Sequence, residues 1–330
     1  MFNINKSLLY DPGQVHYIVD SDFRTLAQGW SRADGTGPLD LWGARNPGYV
    51  FYAPGRTAQP SGATDAAAMQ AAIDALVDFR GDTLFFTPGT YTPATALAIN
   101  VPDARWLGPI VSSPEAARAN LVAGVAAAFT TTADADRMEV GYLRFVPLTA
   151  ATMWSVVTGT DRLHFHDFVF DTNGITASTS TIFVDTAGTC DGSLFEKFVL
   201  LTDDSTGAMF TITGTLTRFQ IKDFTHFHVG ANALAISLVD DNAAGASGII
   251  VGPGRGVTGA AGAVTTLYDL VNKTTAETNV TIDRFYGSVG YATTTTIVTS
   301  AGAVNDIDIV DSWIATVEGG AGRGAYVGAA

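Results

Sequence analysis

The sequence predicts an all-β chain: a single-stranded right-handed parallel β-helix, or solenoid, with an N-terminal capping α-helix. Three observations predict it. A degenerate apolar frame recurs from residue 138 to near the C-terminus, the composition favours strands and turns over helices, and one amphipathic helix stands ahead of the repeats.

The frame is plainest at Leu163–Phe170, LHFHDFVF. Leu163 and Phe165 lie two apart, two corner residues follow, and Phe168 and Phe170 repeat the spacing. Residues at i and i+2 of a strand share a face, so a bend at the corner lets both pairs point inward. Frames start at Met138, Leu163, Ser193, Phe219, Ile249, Val280 and Ile307, with spacings of 25, 30, 26, 30, 31 and 27 residues. A second apolar strand precedes most of them, at Trp154–Thr158, Thr181–Asp185, Met209–Thr213, Leu234–Leu238, Thr265–Val271 and Thr295–Val298. A helical repeat would show an apolar period of about 3.6 instead. Short strands joined by Gly, Thr and Asp turns within about thirty residues describe one coil of a solenoid, each coil pairing with the next about 4.8 Å away.

Composition agrees. Charged residues make up only 15% of the chain and glycine contributes 35 residues, which suits strands and tight turns. The formal net charge of −14 argues against a protein that holds nucleic acid by neutralising phosphates, and against attraction to anionic membranes. The single cysteine, Cys190, excludes an internal disulfide framework and reads as a small buried or turn residue. The N-terminus MFNINKSLLYDPG lacks a basic segment followed by an apolar core, so no secretory signal is expected. The longest apolar run, Leu121–Phe129, is far short of the about 20 residues that span a bilayer. The expectation is a soluble product made in a cytoplasm.

Residues 1–60 read as an N-terminal extension. Val15–Val19 suits a strand, while Ser31–Pro54 sets Trp42, Tyr49, Phe51 and Tyr52 among turn residues. Aromatics placed in that way describe an irregular segment that packs on the first coil or docks on a larger assembly. Residues 65–78, DAAAMQAAIDALVD, predict the cap helix, with Thr64 as N-cap, Met69, Ala72, Ile73, Leu76 and Val77 as the apolar stripe and Gly81 as the stop. Such a helix, about 21 Å long, covers the open end of a β-helix and shields unpaired strand edges. The β-helix is expected over 61–316. Residues 111–135 and 242–264 are its weakly patterned parts, and 317–330 form a short tail. With no cap helix there, the last coil calls for cover by a sister subunit, another protein or the tail itself.

After the helix come Gly81-Asp82-Thr83-Leu84-Phe85-Phe86, Pro88-Gly89-Thr90-Tyr91, the apolar pair Leu97 and Ile99, and Trp106-Leu107-Gly108. A cap helix, a short strand, Pro-Gly-Thr-Tyr and a Leu-Gly turn resemble the entry into the pectate-lyase-like right-handed β-helix superfamily, which includes bacteriophage tailspikes and virion fibres. The likeness covers about residues 62–110, and the frames extend it to about 316. It implies a virion protein (spike, fibre or capsid decoration) that is homotrimeric and bound to capsid or tail proteins through its N-terminal segment. The alternatives it leaves open are a tailspike depolymerase acting on a bacterial surface polysaccharide and a carbohydrate-binding adhesin.

The candidate chemistry lies on the outside of the coils. Aligned frames put His166-Asp167, Glu196-Lys197, Lys222-Asp223, Gly252-Pro253, Asp283-Arg284 and Val310-Asp311 at the corners. Asp167, Lys197 and Asp223 would then form a salt ladder of alternating sign. The functional reading makes Asp167, Glu196 and Asp223 a carboxylate cluster for acid/base work on a glycan. Asp203-Asp204 and Asp240-Asp241 are further acidic pairs that also suit turns. Polygalacturonase-like members carry Asn-Thr-Asp, Asp-Asp, Gly-His-Gly and Arg-Ile-Lys elements; here only Asp203-Asp204 and a stretched Arg218-Phe219-Gln220-Ile221-Lys222 match. No calcium set of the pectate-lyase kind can be assembled, and no cofactor is expected. His164 with His166 and His226 with His228 are each spaced to offer two metal ligands. The first pair faces outward and the second follows a corner two coils later, so the pairs do not converge and read as solvated or interface histidines. Gly252, Gly254 and Gly256 lack the Lys-Ser/Thr and the helix of a phosphate loop and read as tight turns between coils.

Overall fold

The computed structural model describes residues 49–52 and 63–329, apart from short stretches between elements, among them 203–207, 229–235, 242–246, 259–266 and 318–326. The strand expected at Val15–Val19 and the pair Asp203-Asp204 lie outside the described residues. What is described is a parallel β-helix. A 9-stranded sheet lies on one side, and a 17-stranded sheet folds around the frame corners on the other.

The frames stack in the register that the sequence predicts. Val140 pairs with Phe165, Phe165 with Phe195, Phe195 with Ile221, Ile221 with Val251, Val251 with Ile282 and Ile282 with Ile309. The same column continues upstream through Trp106, Leu84 and Val50. Tyr49–Tyr52, expected in an irregular segment, is thus a strand on the edge of Thr83–Phe86. The second apolar pair forms a parallel column through Tyr91, Leu121, Phe145, Phe170, Leu200, His226 and Gly256.

Both weakly patterned stretches contain regular strands. Ala119–Val122 and Ala127–Thr131 belong to one coil, and Ser247–Val251 and Gly254–Thr258 to another. Gly252 therefore sits at a frame corner and Gly254 and Gly256 inside a strand, not in turns between coils. The last three described residues, Val327–Ala329, fall in the expected tail but add a strand beside Thr294–Ser300.

Helix α1 (Ala63–Asp74) ends one turn earlier than its periodicity predicts, and Thr64 falls inside its first turn rather than at the N-cap. Met69, Ala72 and Ile73 are buried against the first coil, and Leu76, just past the helix, completes the stripe. Gln70 performs a second task. Its Nε2 donates to the carbonyl of Ala98 at 3.0 Å, and its Oε1 accepts the Ala98 N–H at 2.9 Å. The side-chain amide thereby imitates the next strand along the edge of Leu97–Ile99, where both backbone groups would otherwise lack a partner. Gln70→Ala is expected to cost about 1 kcal/mol in urea unfolding; an unchanged midpoint would mean that water replaces the amide without loss.

The interior is aromatic. Phe168, Phe198, Phe224 and Phe285 stack along the axis, the first pair at 4.7 Å and 8°. That separation matches the distance between paired strands, so identical side chains in register stack without adjusting the backbone. Trp106 and Trp154 lie fully buried with indole N–H groups that have no hydrogen-bond partner among the described residues. They pack instead against aromatic rings, Trp106 at 88° to Phe129 and Trp154 at 89° to Phe165.

The corners carry the unusual backbone. Tyr142, Asp167, Lys197, Asp223, Arg284 and Asp311, the second corner residue of six frames, all have φ between 46° and 59°. Proline cannot adopt such a φ, and in the Gly252-Pro253 frame the left-handed residue moves back one place to Gly252, with φ 120°. A second left-handed column precedes the frames at Gly81, Asp103, Arg137, Arg162, Gly192 and Arg218.

Candidate functional site

The densest group of chemically capable side chains lies on the outer face of three neighbouring strands, Arg105–Leu107, Glu139–Gly141 and His164–His166. Register makes the group. Arg105 stands beside Glu139, Glu139 beside His164, Gly141 beside His166, and His166 beside Glu196. In a strand these residues alternate with the inward Trp106, Val140 and Phe165, so burial of the core determines that they face out.

Glu139 is the hub. Its Oε2 accepts the Nε–H of Arg105 at 2.7 Å, and its Oε1 lies 3.2 Å from the Nη2 of Arg105 and 3.1 Å from the Nε2 of His166. On the other side of the imidazole, Nδ1 lies 2.9 Å from the Oδ2 of Asp167. His164, its ring 4.9 Å from that of His166, bonds through Nε2 to the Oε1 of Glu196 at 3.0 Å. Tyr142 stands edge-on to His166, with ring centroids 5.1 Å apart.

The electrostatics follow from these contacts. The hydrogen bond from His166, reinforced by Arg105, holds the Glu139 carboxyl at about 2 against the opposing effect of burial. Burial pulls the His166 imidazole down, but the bonds to Glu139 and Asp167 outweigh it and leave His166 above its ordinary value.

Two expectations from the sequence are corrected here. The histidines of LHFHDFVF are not both solvated: His166 is 7% exposed. Gly141 makes this possible, because a Cβ there would lie 2.5 Å from the Cε1 of His166, so only glycine lets the ring settle onto the neighbouring strand. The salt ladder of Asp167, Lys197 and Asp223 does not form either. Among the described residues Lys197, Lys222 and Asp223 make no ion pair, and Asp167 turns to His166. A half-buried carboxylate gains more from a shielded imidazolium next to it than from an exposed ammonium held only by water-screened attraction.

The remaining candidates disperse. Glu196 pairs with His164 rather than with Asp167 or Asp223, and Asp223 is an exposed corner residue. His226 faces inward, 3% exposed, with its Nε2 2.8 Å from the Oγ1 of Thr202, which corrects its reading as a solvated histidine. It lies within the coil while His164 and His166 lie on its outer face, so His226 does not meet the first pair. Among the described residues no group of three His, Cys, Asp or Glu is placed to hold a metal ion. No described helix is long and apolar enough to cross a membrane. Cys190 lies in a short strand paired with Thr215–Leu216.

Sequence reasoning missed Glu139, Arg105 and Tyr142, and also a second polar column. Asp136 Oδ1 accepts the Asp161 N–H at 2.7 Å, Asp161 Oδ1 accepts the Asp191 N–H at 3.1 Å, and Asp191 receives Thr217 and Arg218. Arg137 closes onto Asp103 below at 2.5 and 2.8 Å. The signal was present as Asp136-Arg137 and Asp161-Arg162, each dipeptide placed immediately before a frame. Arg144 and Asp171 tie the coils of Glu139 and His166 together again on the other side of the corner.

No protein-family model matches the sequence, and no curated protein matches it. Among solved structures, an endo-xylogalacturonan hydrolase from Aspergillus tubingensis is similar at 12% identity and a TM-score of 0.43, over 84% of this chain and 99% of that one. A likeness of that size says nothing about activity, and the assignment of a parallel β-helix rests on this chain's own strand ladder.

Proposed function

We propose that this chain is a non-catalytic structural β-helix, a stiff rod whose outer face serves cohesion between coils rather than turnover. The observation that carries the reading is the engagement of the outer-face carboxylates. Glu139, Asp167, Glu196, Asp171, Asp103 and Asp191 each bond a side chain, and all but Asp167 do so on a neighbouring coil. Cleavage of a glycosidic bond needs a carboxyl group that stays protonated near neutral pH beside a second, free carboxylate. Glu139, the hub of the group, has the opposite property, because His166 and Arg105 keep it ionised.

The resemblance to virion-borne β-helices supplies the finer reading: a bacteriophage spike, fibre or capsid-decorating protein, assembled as a homotrimer and attached through its N-terminal segment. A depolymerase that uses Asp167, Glu196 and Asp223 is the competing reading, favoured by the grouping of acids, histidines and Tyr142 on one face. Purified protein incubated with capsular or O-antigen polysaccharide is expected to release neither reducing ends nor unsaturated uronates. Release at enzyme-like rates overturns the structural reading. An unboiled gel of purified virions is expected to show the chain at trimer size, and a monomer band or no band from particles overturns the virion trimer.

A further inference from the structure

We propose that His166 is a proton-dependent latch, tying its own corner to the Glu139 strand of the preceding coil while the imidazole is doubly protonated and weakening that tie as the proton leaves. The geometry requires the proton. Both ring nitrogens face carboxylate oxygens, Nε2 that of Glu139 at 3.1 Å and Nδ1 that of Asp167 at 2.9 Å. A neutral imidazole has one N–H and one lone pair, so one of the two contacts would set a lone pair against a carboxylate. Only the imidazolium donates to both.

The surroundings make loss of the proton consequential. The strand below contributes Glu139, with Arg105 behind it, and Tyr142 edge-on to the ring. The strand of His166 itself contributes Asp167 and His164. The strand above contributes Glu196, which is bonded to His164, and the exposed Lys197. When His166 is neutral, Arg105 still balances Glu139, but Asp167 loses its only ion-pair partner among the described residues. His166 is 7% exposed, so water does not readily take over the abandoned contact. The tie runs from Glu139 through the imidazole to the Asp167 corner, so its release loosens the outer face between these two coils.

The sign of the pH effect follows. His166 is raised above 6.5, so its contribution is complete below 6.5 and disappears as pH rises through the folded-state value. Glu139 is lowered from 4.5 to about 2, so its contribution is complete above 4.5 and disappears as pH falls through about 2. The latch is fully closed between those limits and opens on the alkaline side first.

Thermal unfolding of the full chain from about pH 5 to about pH 9 tests this, together with NMR titration of the imidazole signals. The melting temperature is expected to hold to about pH 6.5 and then fall by several degrees, and His166→Gln is expected to remove that fall. The His166 resonance, identified as the one missing from the variant, is expected to titrate above 6.5. Glu139→Gln is expected to lower that midpoint, and it decides the matter if His166→Gln does not fold. A flat wild-type profile, an unchanged alkaline fall in His166→Gln, or a His166 midpoint that Glu139→Gln does not lower overturns the latch.

Discussion

Phe195→Ala is expected to reduce stability by about 3–5 kcal/mol, the usual cost of deleting a fully buried aromatic ring without collapse of the space it leaves. Among the described residues Phe195 is the most connected ring of the core. It stacks on Phe165 at 4.8 Å, meets Phe183 at 5.2 Å and Phe210 at 4.8 Å, and leans on Phe219 at 5.2 Å. These partners come from its own coil and both neighbours, so one cavity weakens two coil interfaces at once. Collapse is resisted because the strands on either side are held by the ladder at a fixed spacing. Phe285 provides the control: it is equally buried, but among the described residues it stacks on a single ring, Phe224, at 6.1 Å. Urea unfolding of both variants should place Phe195→Ala clearly lower than Phe285→Ala. Equal midpoints would show that burial alone, and not the number of rings met, determines the loss. In a solenoid the transition need not be all-or-none, so an early partial step in Phe195→Ala is also expected.

Gly252→Ala is expected to be at least as severe locally, costing about 3 kcal/mol or more through strain and overpacking together. Gly252 has φ 120°, outside the range a side chain accepts without strain, and an added Cβ would lie 1.7 Å from the backbone oxygen of Asp283 on the next coil. The obstruction is backbone, so no rotamer change relieves it. Gly252 must move away from Asp283, which breaks the register of Ser247–Val251 with Thr278–Asp283 at the corner. Limited proteolysis is expected to cut Gly252→Ala after residue 240 while sparing the coils before it. A protease pattern identical to wild type would show that the corner relaxes freely.

Much of the fold was legible because its signal is periodic. Inward positions recur at i and i+2 on either side of a corner, and the residue two after each of the seven predicted frame starts falls in one observed column. The frame was harder to follow upstream of residue 138, where chain inserted after the corner separates the two pairs. Trp106 and Leu121 belong to one coil yet stand 15 positions apart. The candidate site was less legible still. His166 and Asp167 were visible as a dipeptide, but their partner Glu139 lies 27 residues away, and nothing local connects a glutamate in one coil to a histidine in the next. Asp167 and Lys197 share a column and appeared to be natural partners. The structure joins Asp167 to His166 instead, because burial strengthens the shorter contact.

The sequence by itself determined which side chains line the interior, since hydrophobic burial acts on a strand's alternation and needs no knowledge of the partner. From residue 138 onward it also determined the coil length and the place of each corner. The left-handed backbone at those corners was decided by tertiary structure alone. Tyr142, Lys197 and Arg284 have no local preference for positive φ, and each pays about 1–2 kcal/mol to adopt it. They adopt it because the coils above and below turn at the same place, and a corner of any other shape would break the hydrogen-bond ladder on both sides. The Gly252-Pro253 corner shows the same constraint from the other direction. Proline refuses the conformation, and the turn is retained by passing it to the one neighbouring residue able to accept it.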